Sequence, residues 1–160
     1  MIDFVARRLP TDISKNHSVV EFGSRDVNGT IRPLLGAAQY VGVDIEPGPN
    51  VDIVMDAKQY DGPADFVLCL ETLEHCDGLD DFVDAIVRNV KPKGRALITA
   101  ATTGRRPHSA IDGEQLREGE YYENVTCEAL EAAVAKTRGQ IHYKEIDTIV
   151  GDIRVEIHVD

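Results

Sequence analysis

Five short apolar runs punctuate the first hundred residues: Ser18–Phe22 (SVVEF), Tyr40–Asp44 (YVGVD), Val51–Met55 (VDIVM), Phe66–Leu70 (FVLCL) and Arg95–Ala100 (RALITA). Runs this short and this continuous fit strands covered on both faces of a parallel sheet. Between the fourth and fifth, Leu79, Phe82, Val83, Ile86, Val87 and Val90 recur at helical spacing. They predict a helix over 79–90, capped by Asp77 with Gly78 following, and stopped with the help of Pro92. A second helix is predicted from about Thr126 to Thr137, capped by Thr126 and ended near Gly139. Its apolar face is Leu130, Ala133 and Val134. The period then changes to two. Ile153, Val155, Ile157 and Val159 alternate with Arg154, Glu156 and His158, which predicts a strand with one wet or lightly covered face. His142 and His158 fall on predicted strands and call for no function. Strands alternating with helices, then a closing pair of strands, indicate an α/β domain, read as one domain over residues 1–160.

Two connections are short. Only IEPGPN separates the second run from the third, and only AKQYDGPAD the third from the fourth. A crossover between parallel neighbours normally takes about a dozen residues or more, so neither connection has room for a full helix. The sheet edge near Val51–Met55 is therefore expected to be thinly covered, and a homodimer contact there is a possible consequence. The segment 101–125 is the opposite case, long, polar and without periodicity. A connection of that length is usually a lid or binding loop. Its Glu114–Glu120 acidic cluster reads as a solvated face.

Composition narrows the classes. The chain has 160 residues, 42% hydrophobic and 28% charged, which is enough to bury a core. The net charge of −11 argues against a broad phosphate-binding surface and so against a nucleic-acid acceptor. No apolar run reaches the roughly 18 residues of a membrane span, and the start of the sequence shows no long apolar signal core. A cytoplasmic protein is expected. Cys69, Cys76 and Cys127 are odd in number and widely spaced, and no CxxC pair occurs. Reduced thiols are expected, with neither a disulfide framework nor a structural zinc site, and no metal is assigned.

Candidate chemistry collects where the runs end. In VVEFGSRDVNG a strand carrying Glu21 meets Gly23 and a loop expected to enter a helix. There the backbone can approach a ligand closely, and a helix start offers free N–H groups. Asp44 ends the second run about 20 residues after Glu21, the spacing at which nucleotide-binding sheets place an acid on ribose hydroxyls. Asp56 and Ala57 follow the third run. Glu71 closes the fourth, and Thr72-Leu73-Glu74-His75 rounds the same sheet edge, where open α/β sheets bind ligands.

Taken in order, EFG, VGVD, MDA, DFVLCLETLEH and VKPKGRALITA resemble a class I S-adenosylmethionine-dependent methyltransferase of the small single-domain branch. The resemblance covers about residues 18–100 and is weaker from 126 onward. It implies an α/β Rossmann-like sandwich with a mostly parallel seven-stranded sheet in the order 3-2-1-4-5-7-6, here with reduced helices after strands 2 and 3. It implies S-adenosylmethionine as cofactor. Glu21, Gly23 and Ser24 match the first motif, and Asp44 matches the ribose-binding acid with Ile45 packed on adenine. Asp56 and Ala57 match the adenine-contacting position, and Glu71 the methionine end. The usual glycine two positions after Gly23 is Arg25, and Val27 holds the next glycine position. Asn28-Gly29 is expected to restore a permissive turn later. Arg25 is expected either to reach the cofactor carboxylate or to lie solvated at the surface.

His75 and His108 are the candidate bases for an acceptor hydroxyl. Arg105, Arg106, Tyr121 and Tyr122, on the 101–125 loop, are the candidate contacts for a small-molecule, anionic or carbohydrate-like acceptor. Methyl transfer to such an acceptor is the first reading. A cofactor-binding or partner-binding module with reduced catalysis is the second. A nicotinamide dehydrogenase fits poorly because no full GxGxxG occurs.

Overall fold

The computed structural model describes residues 2–9, 13, 15–36 and 39–160. Its seven strands form one sheet: β1 (Ser18–Phe22), β2 (Gln39–Asp44), β3 (Ile53–Val54), β4 (Ala64–Leu70), β5 (Val90–Ala101), β6 (Gln140–Asp147) and β7 (Asp152–His158). The order is β3-β2-β1-β4-β5-β7-β6, as the resemblance implies. Strands β1 to β5 pair parallel, and β7 runs antiparallel between β5 and β6. Among the described residues three α-helices accompany the sheet: α1 (Ile2–Arg8), α2 (Leu79–Arg88) and α3 (Cys127–Val134).

Alternating side chains of the central strands feed two apolar layers. On one face Val20, Phe22, Val67, Cys69 and Ile98 pack with Phe82, Val83, Ile86 and Val87 of α2 and Leu130, Ala133 and Val134 of α3. On the other, Val19, Phe66, Leu68 and Leu97 pack under Phe4 and Val5 of α1 and under Ile31 and Leu35. Each such side chain contributes about 1.5–3 kcal/mol on leaving water. The sequence reading did not anticipate α1, whose seven residues carry only two buried apolar positions.

Several expected boundaries move. The third strand is two residues rather than the five of Val51–Met55, because the Asp52 side chain takes over a rung: Gly42 N–H donates to its Oδ2 at 2.8 Å. Ile53 and Val54 stay exposed, so this edge is thinly covered. Asp77 does not cap α2. The cap position is Gly78, left-handed at φ 83°, with no side-chain hydrogen bond. Pro92 does not stop that helix. Asn89 ends it, its side-chain amide donating to Ala85 O at 2.9 Å, and Pro92 lies inside β5. Thr126 does cap α3, accepting from Ala129 N–H at 3.1 Å, and the helix closes at Val134. The polar face of β7 is not wet, because ion pairs cover it. Glu156 is buried between Arg8 and Arg95 at 3.3 and 3.4 Å. No helix among the described residues is long and apolar enough to cross a membrane.

The strands that position the site end at one edge. Gly23 after β1 has φ 72°, and Glu71 after β4 has φ 53°, a left-handed conformation that is costly for a residue with a Cβ. A Cβ on Gly23 would stand 2.1 Å from Thr72 Oγ1. The chain thus leaves both strands sharply, and glycine is required as much by Thr72 as by its own φ. A G23A variant is expected to lose about 2 kcal/mol or more of stability in urea unfolding. Adding T72A should recover part of that loss. An equal loss with and without T72A would show that contact with Thr72 is not its cause.

Candidate functional site

At the carboxyl ends of β1, β2, β4 and β5 lies a cavity of about 740 Å³, within the roughly 300–1,000 Å³ range of small-molecule sites. Glu21, Gly23, Ser24, Arg25, Asp44, Ile45, Asp56, Ala57 and Glu71 all line it. The residues anticipated for the cofactor are therefore brought together. Arg105, Arg106, His75 and His108 line it as well. Tyr122 stands behind the histidines, its ring 5.4 Å from His75 and 5.0 Å from His108. Tyr121 faces outward and donates to Glu123 at 2.6 Å, so the structure does not bring it to the cavity.

The turn after β1 is rebuilt without a helix start. Gly23 and Ser24 N–H both donate to Val43 O, and Asp26 N–H donates to Pro49 O. The next regular element is a 3-10 turn over Arg32–Leu35, so the expected helical amides are not delivered here. Asp44 does that orienting work. Its Oδ2 accepts from Arg25 N–H at 3.0 Å and its Oδ1 from Glu46 N–H at 2.9 Å. Each oxygen keeps a lone pair for a ligand. Asp56 caps the 3-10 turn Ala57–Gln59 through Lys58 N–H at 2.9 Å. Ile45 is 67% exposed on the cavity wall, an apolar surface open to a flat partner.

Arg25 does something the sequence did not show. Its stem passes over Gly48, and its guanidinium donates to Ala110 O at 2.9 Å. It braces the β1 turn against the 101–125 loop. That loop is held inside itself. Ser109 is buried and donates to Glu120 Oε1 at 2.8 Å, so half-buried Glu120 is tied into the loop's frame, while Glu114 and Glu118 are exposed. Arg105 is paired with buried Asp152 from β7. Asp152, like Glu74, was missed as a site residue. Its only sequence signal was an acid opening the predicted last strand.

Two buried acids lie at this edge: Glu21 lines the cavity, and Glu74 immediately precedes His75, which lines it. Glu21 accepts from Tyr40 OH at 2.5 Å, and Asn50 donates to that hydroxyl at 2.9 Å. Burial nonetheless raises the Glu21 carboxyl to about 7. Glu74, in the 3-10 turn Leu73–His75, has no exposure at all. Burial and the nearby Glu71 charge push it up to about 8. Neither of its oxygens makes a hydrogen bond of ordinary geometry, and the amides of Glu74 and Ala101 only temper the effect. Burial drives His75 down to about 4, so its ring is neutral at pH 7. The spacing Glu71-xx-Glu74-His75 was the sequence signal that these groups converge.

Glu21 gives a pH test. In the folded chain it keeps its proton to about pH 7, whereas a carboxyl of ordinary value releases it near 4.5. Between these values the folded state binds the extra proton, so stability falls as pH rises, then levels off above 7. The stability of wild type minus that of E21Q should fall across this window by up to about 3 kcal/mol in urea unfolding. A flat difference would show that Glu21 ionises normally when folded.

Comparison with known proteins bears on this geometry. A family model described as a methyltransferase domain matches residues 1–139. A ubiquinone biosynthesis O-methyltransferase of Rickettsia bellii is 30% identical over 59 residues, which is 37% of this chain and 23% of that protein. The alignment therefore spans under a quarter of that relative. The magnesium protoporphyrin IX methyltransferase of Synechocystis PCC 6803, solved with bound SAM, superposes over 99% of this chain and 78% of its own, at TM-score 0.70 and 16% identity. The 1,6-didemethyltoxoflavin-N1-methyltransferase of Burkholderia thailandensis, solved with S-adenosylhomocysteine, does so over 99% and 80%, at TM-score 0.68 and 15% identity. The sheet order, the acids at the strand ends and the matched domain agree: the chain belongs to the methyltransferase-domain family.

Proposed function

We propose that this chain transfers the methyl group of S-adenosylmethionine to a small-molecule acceptor held beside His75 and His108. The observation that carries the reading is one continuous cavity. It runs from Asp44, Ile45 and Asp56 past Gly23 and Glu71 to the two histidines. Its residues fit the cofactor. Asp44 retains lone pairs for a ribose diol, Ile45 offers apolar surface for adenine, and Gly23 and Glu71 lie at the methionine end. Among the described residues, buried Ser24 Oγ and Glu71 Oε1 have no hydrogen-bond partner, so polar groups stand ready for a ligand.

The bound sulfonium supplies an electrophilic methyl group and its own leaving group. The chain's work is alignment and exclusion of water, and alignment alone can contribute about 7–11 kcal/mol. His75, neutral at pH 7, can accept a hydrogen bond from an acceptor hydroxyl, but a ring whose value lies near 4 is a weak general base. With Asp152 neutralising Arg105, Arg106 of the same loop also lines the cavity and can meet an anionic group on the acceptor. Exposed Ile111 and Val150 at the same cavity favour an acceptor with an apolar body. Both structural neighbours described above carry names that state small-molecule acceptors, which supports this class over nucleic acid.

Calorimetric titration with S-adenosylhomocysteine tests the cofactor half. Wild type should bind, and D44A should bind at least about tenfold more weakly, the usual loss of a hydrogen bond to a charged group. No binding by folded wild type would overturn the reading. A screen of small hydroxylated acids with methyl-labelled cofactor tests the other half, with R106A expected to raise KM. Binding without transfer to any of them would favour the module that holds cofactor and does not transfer.

A further inference from the structure

We propose that Glu74, His75 and His108 form a site for one divalent first-row transition cation at the acceptor end of the cavity. Among the described residues, one ligand atom from each of these three lies within 4.8 Å of the others. Their convergence is built. Glu74 and His75 ride on the 3-10 turn Leu73–His75, which is pinned by Glu123 N–H donating to Glu74 O at 2.8 Å and by His75 N–H donating to Thr72 O at 3.0 Å. His108 arrives from the 101–125 loop. Its ring meets that of His75 edge-on, centroids 4.9 Å apart, and Tyr122 packs edge-on against both.

Independent observations indicate that something missing from the chain belongs here. Glu74 is fully buried, and among the described residues neither of its carboxylate oxygens has a hydrogen-bond partner of ordinary geometry. His75 Nδ1 is buried and has no hydrogen-bond partner among the described residues. Buried polar atoms are almost always satisfied, and such a group without a partner calls for an ion or a water. His108 is the complementary case. Its Nδ1 lies 3.1 Å from Arg106 O. An N–H donated there leaves the lone pair on Nε2, the outer-shell arrangement that orients metal-binding imidazoles.

The donor set selects the ion. Hard Mg²⁺ and Ca²⁺ take oxygen ligands, whereas two imidazoles with one carboxylate suit borderline transition cations. Three protein ligands leave a coordination position open. His75 and His108 both line the cavity, so that position faces the acceptor space. An acceptor oxygen bound there would lose its proton more readily, which supplies what a weakly basic His75 does not. The identity of that oxygen's owner rests on the proposed function. The ion site itself does not.

Cobalt titration tests it. Chelator-treated protein should take up one equivalent of Co²⁺, read from visible ligand-field bands. Azide should shift those bands by entering the open position. E74Q and H108A, confirmed as folded by circular dichroism, should each weaken Co²⁺ binding beyond the roughly 10–100-fold that loss of an outer-shell partner costs. No bands with folded wild type would overturn the proposal, as would bands unchanged in both variants. Bands indifferent to azide would overturn the open position. Titrating the same preparations with S-adenosylhomocysteine separates the two readings. Cofactor binding without Co²⁺ binding sinks this one alone, and Co²⁺ binding without cofactor binding sinks the proposed function alone.

Discussion

The approach of the β1 turn to the β4 turn sets the geometry of everything at the carboxyl edge. Phe22 and Cys69 are register partners in adjacent parallel strands, so Gly23 and Thr72 emerge almost side by side. Thr72 Oγ1 then occupies the space where a Cβ on residue 23 would sit. Gly23 must be a glycine for the strands to stay paired to their ends. Glu71 must accept a left-handed backbone for the chain to clear the crowding. That turn throws Leu73 inward to the core and leaves His75 lining the cavity, with Glu74 buried beside it in sequence. Strand pairing, packing and the placement of the candidate site are therefore one constraint.

The two buried acids show how differently a carboxyl can be accommodated. Glu21 is satisfied inside the chain by Tyr40, which Asn50 in turn supports, with Arg32 lying 4.4 Å over the Tyr40 ring. Glu74 has no such arrangement although it is the more deeply buried. A network can be evolved around any acid that needs only to be stored. Around Glu74, which precedes His75, no such side-chain network is built among the described residues.

The central strands were legible because each is a continuous apolar run whose alternate residues feed two layers, as Val19 and Val20 do. What failed was local and had local causes. Pro92 reads as a helix stop, yet Asn89 ends the helix by bonding its own last turn, and the proline falls where β4 and β5 shift register. Asp77 reads as a cap, but a left-handed Gly78 turns the chain into α2 without one. The third strand shrank because an aspartate side chain can imitate a backbone acceptor, which no hydropathy pattern reports. Period two in β7 was real, but its polar face is covered by arginines from α1 and β5 that are distant in sequence. At the site, the cofactor-lining acids were legible from strand-end spacing. The convergence of Glu74 with His108 depends on the path of a 25-residue loop and was not.

Arg25 unites these levels. The resemblance implies a glycine here, and an arginine pointing inward would obstruct a ligand. The structure turns the side chain away, over Gly48, so that only its backbone N–H serves Asp44. The guanidinium spans to Ala110 in the loop that also carries His108. One residue thus ties the acid expected to hold the cofactor to the loop expected to hold the acceptor. A glycine would keep the first contact and lose the second. Among the described residues only the 3-10 turn Arg32–Leu35 follows β1 before β2, and the Arg25–Ala110 hydrogen bond ties that edge to the 101–125 loop. The substitution is therefore a different solution to the same need, holding the two halves of one cavity in register.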